Sequence, residues 1–178
     1  HTHSGWSPDY GDAPASTAMF ISEVSWYAHR PFTALLWSGV FERHPRLKLV
    51  MTEQGNSWVH DALRMFERHY DSPYFKYFHK DLSLRPREYF ERQCFIGASF
   101  LHPEDCAERH RIGTQKLMWG SDYPHLEGTW PNTMDSLRRT FSEVPEDELR
   151  AMLGGNAAKV FGFDVGRLEQ AAQKIGPA

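Results

Sequence analysis

The chain has 178 residues, 40% of them hydrophobic and 24% charged, and a formal net charge of −3, the balance of one soluble globular unit rather than a disordered segment. Basic residues dispersed among acidic ones give no footprint for nucleic acid or an anionic membrane, and no apolar run approaches the roughly 20 residues that cross a bilayer. Cys94 and Cys106, the only cysteines, read as reduced thiols of a cytoplasmic protein, with one disulfide as the open alternative.

The chain opens on His1-Thr2-His3. Two histidines spaced two apart in a strand share one face and can offer two imidazole nitrogens to one metal ion. A frayed or cut strand is the plainer reading, and a free amine at His1 chelating Cu²⁺ or Ni²⁺ is a weaker third. Residues 4–14 are rich in Gly, Pro, Asp and Ser and read as a loop. A helix is expected from about Ser16 to Ala28, where Met19, Phe20, Val24 and Tyr27 share a face. Pro31 is placed to begin a second helix carrying Leu35, Leu36 and Val40, with Pro45 as its stop. Leu47 to Met51 has the length and apolar character of a strand, leaving through Thr52-Glu53-Gln54-Gly55. Asn56 or Ser57 caps the next helix, on which Trp58, Ala62, Leu63, Phe66 and Tyr70 recur at helical spacing.

Residues 71–87 are aromatic and basic with two prolines, and read as irregular. Gln93 to Ser99 is a second strand and Lys116 to Gly120 a third, with a helix at Pro103 to His110 between them. Helices are then expected at Pro131 to Ser142, Pro145 to Leu153, Asn156 to Phe161 and Val165 to Ile175, the last with Val165, Leu168, Ala172 and Ile175 on one stripe. Strand and helix alternate without hairpin signals, which points to a parallel sheet. Chemistry in such sheets gathers at the C-terminal strand ends. His1/His3, Glu53 and Asp122 stand at three of them.

Each of these residues has a bland reading. A carboxylate after a strand is more often a turn former than a catalyst, and Glu53 alone is a loop acid. Context strengthens Asp122: Trp119-Gly120 precedes it, Tyr123-Pro124 follows, and His125 and Glu127 are close in sequence. Together His3, Glu53 and Asp122 make a nitrogen and oxygen set that suits Zn²⁺, Mn²⁺ or Fe²⁺. His44, His60, His69, His79, His102 and His110 lie among charges and read as surface or structural. No GxGxxG, P-loop or GxSxG is present, so nucleotide binding and serine hydrolysis lack support.

Three segments, GVFERHPRLKLVMTEQG, WGSDYPHLEGTWP and LGGNAAKVFGF, together resemble the amidohydrolase-related family of metal-dependent TIM-barrel enzymes, the branch with aminocarboxymuconate-semialdehyde decarboxylase. The resemblance is to the family's C-terminal half and runs from His1 to about Asp164. It implies an α/β fold that is part of a (β/α)₈ barrel, approximately strands five to eight with their helices. Residues 1–178 would form one unit, with a C-terminal helix over 164–178. It implies a divalent ion, Zn²⁺ before Mn²⁺ or Fe²⁺, held by Asp122 as the eighth-strand aspartate and His3 as the fifth-strand histidine, with His1 as the alternative. Glu53 stands where relatives often have a sixth-strand histidine, and with Asp122 it is a catalytic candidate. His125, Tyr123 and Trp6 are candidates for substrate contact.

The activity implied first is hydrolysis of a small carboxylated substrate, aromatic ones included, by metal-activated water that gives its proton to Asp122. Non-oxidative decarboxylation and a non-catalytic binding module are the alternatives. A full barrel needs about 250 residues and no separate first-strand HxH pair is found, so this reading expects a fragment or half-barrel. Such a chain self-associates or pairs with the missing half, and takes neither nucleic acid nor membrane as a partner.

Overall fold

The computed structural model describes residues 1–99 and 101–176. Four strands form one parallel sheet in sequence order: β1 (Thr2–His3), β2 (Leu49–Thr52), β3 (Cys94–Ser99) and β4 (Leu117–Gly120). The register runs Thr2 to Met51, Met51 to Ile96 and Ile96 to Leu117. All four strands therefore end at the same edge, and the residues that follow them share one rim.

Alternation along the strands divides the apolar residues between two faces. Leu49 and Met51, Cys94, Ile96 and Ala98, and Leu117 enter the main core, where the helices cover them. Val50 and Met118 turn the other way and meet only Val160, with Phe95 and Ala157 partly buried beside them. One face of the sheet is thus thickly covered and the other thinly.

Helices connect the strands. After β1 come α1 (Ser16–Ala28), α2 (Arg30–Trp37) and α3 (Val40–Arg43). The second expected helix is thereby split, because Gly39 takes a left-handed φ of 71° that ends α2 and starts α3. After β2, α4 (Ser57–Asp71) buries Val59, Leu63 and Phe66 against the core. Asn56 precedes it without capping it by side chain. That amide is buried instead, donating from Nδ2 to the Asp105 carbonyl at 3.0 Å.

The segment read as irregular contains a 3₁₀ turn at Lys76–His79 and then α5 (Pro86–Gln93). Pro86 is pre-shaped for the first helical position, and the Arg85 N–H donates to Glu88 Oε2 at 2.7 Å. Two prolines had suggested a breaker where one was a helix start. Between β3 and β4 the expected single helix is two short ones, α6 (Pro103–Ala107) and α7 (Arg109–Ile112).

Lys116, expected inside β4, sits in a 3₁₀ turn just before it. Its buried ammonium donates to the Glu91 carbonyl and lies 4.3 Å from the Phe95 ring centroid. After β4 follow α8 (Thr133–Thr140), α9 (Glu146–Arg150), a π turn at Ala151–Gly155, α10 (Asn156–Phe161) and α11 (Val165–Ile175). The C-terminal helix expected over 164–178 is α11, capped by Asp164 accepting from the Arg167 N–H at 3.1 Å. Residues 177 and 178 lie outside the described residues. Val165, Leu168 and Ile175 on its stripe are exposed.

Cys94 and Cys106 are buried free thiols, and burial pushes both pKa values up, so neither is a reactive thiolate. Among the described residues no helix is long and apolar enough to cross a membrane.

Candidate metal and catalytic site

The rim at the C-terminal strand ends brings together residues far apart in sequence. Glu53 follows β2 with φ 56° and Asp122 follows β4 with φ 57°. Left-handed backbone at a non-glycine residue costs roughly 1–3 kcal/mol, and such strain gathers at functional sites. Strands on either side of β3 are about 9–10 Å apart. Yet Glu53, Asp122 and His125 each bring a ligand atom within 4.8 Å of the others. The two turned carboxylates close the gap across β3.

His3, at the end of β1, reaches Glu53 from the other side. Its Nδ1 lies 2.8 Å from the Ser4 carbonyl, which can only accept, so Nδ1 donates to it and Nε2 is the nitrogen turned toward Glu53. That nitrogen is 2.6 Å from Glu53 Oε2. The pair is close but not aligned as a hydrogen bond, and Oε2 is buried without a hydrogen-bond partner. A ring nitrogen and a buried carboxylate oxygen with no hydrogen-bond partner lie side by side, an arrangement that suits co-ligands of a cation. The residues present therefore fit a divalent ion. Glu53 is held from behind, because Ser4 Oγ donates to its other oxygen, Oε1, at 2.7 Å.

Asp122 is largely buried, with 11% of its side chain exposed, whereas His125 is open to solvent. His125 Nδ1 and Asp122 Oδ2 are 2.9 Å apart, so the carboxylate orients the ring and leaves Nε2 free. The loop that carries them is a series of tight turns. His125 N–H donates to the Asp122 carbonyl at 2.9 Å, Gly128 N–H to the His125 carbonyl at 3.0 Å, and Thr129 N–H to the Ser121 carbonyl at 2.9 Å.

Gly128 is required by this close approach. A Cβ there would stand 2.9 Å from the Ser121 and Asp122 carbonyl oxygens and 3.0 Å from that of His125. Gly128→Ala is expected to push this backbone apart and weaken divalent-ion binding about tenfold without removing any ligand. Calorimetric titration with Zn²⁺ checks this, and an unchanged affinity would show that the loop tolerates the methyl.

The other candidates stand as follows. His1 is exposed, and neither it nor His3 belongs to the group of Glu53, Asp122 and His125, in which His125 takes the place expected of a strand-end histidine. Tyr123 is exposed and packs edge-on against Trp130 with centroids 5.8 Å apart. Trp6 shares a cavity with His3, and Glu127 lines a different one with His102 and Arg139. Ser4 gave no signal in the sequence beyond adjacency to His3.

His29 was equally unannounced. It stacks on Trp58 at 3.7 Å, and burial pushes its pKa down to about 4, so it is neutral near pH 7. Gln54, next to Glu53, is buried against the same region, its Nε2 3.4 Å from the Ala28 carbonyl.

With this geometry in view, comparison with known proteins is informative. The family model described as amidohydrolase matches residues 3–163. The chain is 28% identical over 167 residues to 2-amino-3-carboxymuconate-6-semialdehyde decarboxylase of Dictyostelium discoideum, covering 89% of this chain and 40% of that protein. Among solved structures, 5-carboxyvanillate decarboxylase from Sphingomonas paucimobilis is 26% identical with a TM-score of 0.60, over 88% of this chain and 44% of that one. An amidohydrolase from Mycobacterium avium subsp. paratuberculosis K-10 has a TM-score of 0.66 at 23% identity, over 83% of this chain and 37% of that one, a likeness of fold. The chain spans about two fifths of the length of these proteins.

Proposed function

The chain belongs to the amidohydrolase family, and on that premise we propose that it carries the metal-binding rim of a non-oxidative decarboxylase acting on a small carboxylated substrate. The observation that carries this reading is the convergence of His3 Nε2 and Glu53 Oε2 beside the Asp122–His125 pair. Hydrolysis, the first expectation from the motifs, loses ground to its alternative, because the Dictyostelium discoideum and Sphingomonas paucimobilis relatives, at 28% and 26% identity, are decarboxylases. The mixed nitrogen and oxygen set suits Zn²⁺ first, then Mn²⁺ or Fe²⁺.

His3, Glu53 and Asp122 are the residues that would hold the ion, with Ser4 fixing Glu53. A divalent ion there supplies positive charge that orients an anionic substrate and draws electrons from the breaking bond. In decarboxylation the carbon–carboxylate bond breaks, CO₂ leaves, and the electron pair stays on the carbon left behind. That carbon must then receive a proton. We assign its delivery to His125 Nε2, a reading supported by the 2.9 Å contact through which Asp122 orients the ring at Nδ1.

Within the described residues β1 and β4 each have a strand on one side only. We place the four strands as numbers five to eight of an eight-stranded barrel, which a second copy or a complementary half would close. A cytoplasmic setting suits its two free thiols.

The test is release of CO₂ from 5-carboxyvanillate by the protein loaded with Zn²⁺ or Mn²⁺, run beside hydrolysis of an N-acyl amino acid. Metal-dependent CO₂ release that a chelator removes is the expected result. Amide hydrolysis without CO₂ would return the assignment to a hydrolase, and neither activity would favour a non-catalytic module.

A further inference from the structure

The end of the sheet opposite the rim holds a second cluster of charged side chains. Lys48 immediately precedes β2 and Lys116 immediately precedes β4. Parallel pairing therefore carries both to the N-terminal edge, one on each side of β3. Lys159, on α10, meets them there. The three lysines line one cavity of about 330 Å³ together with Glu91, Phe95 and Val160, at the small end of the range of ligand sites.

Hydrogen bonds fix where two of the ammonium groups lie. Lys48 Nζ donates to the Val160 carbonyl at 3.0 Å. Lys116 Nζ donates to the Glu91 carbonyl and stands 4.3 Å from the Phe95 ring centroid. Val160, Glu91 and Phe95 are themselves walls of the cavity, so both charges sit at its lining. An ammonium has three N–H donors, and one used in this way leaves two. Burial above all pushes the Lys116 ammonium below its usual pKa, and the positive charge of Lys159 adds to the shift. Arg92 also lines the cavity, but its guanidinium is turned away, donating to Gln93 Oε1 and the Phe41 carbonyl. Among the described residues no carboxylate lies within ion-pair distance of Lys48, Lys116 or Lys159. The Glu91 carboxylate attracts Lys116 from beyond that distance. Gathered like charges repel, and a buried ammonium is costly without an anion to answer it. A chain of net charge −3 has no general excess of positive charge to account for the cluster.

We propose that this cavity is a binding site for a dianionic phosphoryl group, held by the ammonium groups of Lys48, Lys116 and Lys159 at the end of the sheet away from the metal rim. Ammonium groups bind phosphate as compact point charges with rotatable donors, whereas a planar carboxylate is matched best by a guanidinium fork, and Arg92 does not turn one inward. Inorganic phosphate and the phosphate of a small monoester share this chemistry. Neither the metal ion nor the reaction at the rim enters the argument.

Inorganic phosphate, glycerol 3-phosphate and acetate are titrated against the chain by calorimetry, with a chelator present so that no ion at the rim can hold the anion. The titrations run at constant ionic strength near pH 8, about two units above the second phosphate pKa, where the phosphoryl group is a dianion. Both phosphates should bind measurably more tightly than acetate. Lys48 and Lys159 are exposed, so Lys48→Gln and Lys159→Gln should leave the circular dichroism unchanged. Each should weaken phosphate about fivefold, the scale of an exposed charge contact, and the double variant should lose more than either alone. Arg64→Gln removes the same charge from α4, on the covered side of the sheet, and should change nothing. Tighter binding of glycerol 3-phosphate would name a phosphorylated small molecule as the occupant, and tighter binding of inorganic phosphate the free ion; either upholds the site. Equal phosphate affinity in wild type and the double variant would overturn it, as would an equal loss in Arg64→Gln or acetate bound as tightly as phosphate.

Discussion

Asp122→Asn is expected to lower the affinity for Zn²⁺ or Mn²⁺ by 100-fold or more, with the far-ultraviolet circular dichroism unchanged. Asparagine keeps the side chain's shape and can still meet His125, so the backbone turn and the loop hydrogen bonds have no reason to move. What it removes is the negative charge and the hard anionic oxygen that a divalent ion requires. Even the loss of a residue that only orients a ligand costs 10–100-fold in metal affinity, and Asp122 is proposed as a ligand itself. Its side chain is also the better shielded partner of the Asp122–His125 pair, so solvent screens its attraction to a cation less. Glu53→Gln should fall into the same range, since Oε2 would be replaced by an uncharged group. Metal affinity preserved in both variants would show that the rim is a hydrogen-bonded network and not a cation site.

The largest effect on stability is expected from Phe32→Ala. Phe32 on α2 is completely buried, and three aromatic rings surround it: Phe66 at 5.5 Å, Phe90 at 5.7 Å and Trp58 at 6.4 Å. These rings belong to α4 and α5, so one side chain joins three helices. Removing a buried phenyl costs about 3–5 kcal/mol through lost transfer energy and the cavity left behind. Single domains rarely hold more than about 5–15 kcal/mol in total. Urea denaturation should show a lower midpoint with an unchanged slope. A loss below about 1 kcal/mol would mean that the aromatic cluster repacks and that α2 is not its keystone.

Much of the architecture could be read before any coordinates. The runs around Leu49, Ile96 and Leu117 are strands because β-branched and apolar residues there are bounded by turn residues. The spacing of Val59, Leu63 and Phe66 makes a helix wherever one face meets a core. Errors arose where one residue type supports two local outcomes. Proline both ends helices and starts them, and at Pro86 the Glu88 carboxylate decided for a start. Glycine can sit within a helix or stop it, and at Gly39 a left-handed φ stopped it.

For the site, the sequence by itself determined which chemistry was at hand: His3, Glu53 and Asp122 each follow a strand, and parallel strands deliver such residues to one edge. That much follows from local periodicity and the handedness of strand–helix–strand connections. It could not determine the distances among them. The left-handed turns at Glu53 and Asp122, the approach of His3 Nε2 to an unsatisfied oxygen, and the support from Ser4 depend on strands lying side by side whose paired residues, such as Thr2 with Met51, Met51 with Ile96 and Ile96 with Leu117, are distant in sequence. The same holds for His125, which looked like a pocket residue in sequence and stands hydrogen-bonded to Asp122 in the fold. Only the tertiary structure decides such pairings, because a long-range contact is fixed by the register of the whole sheet and not by the residues that happen to make it.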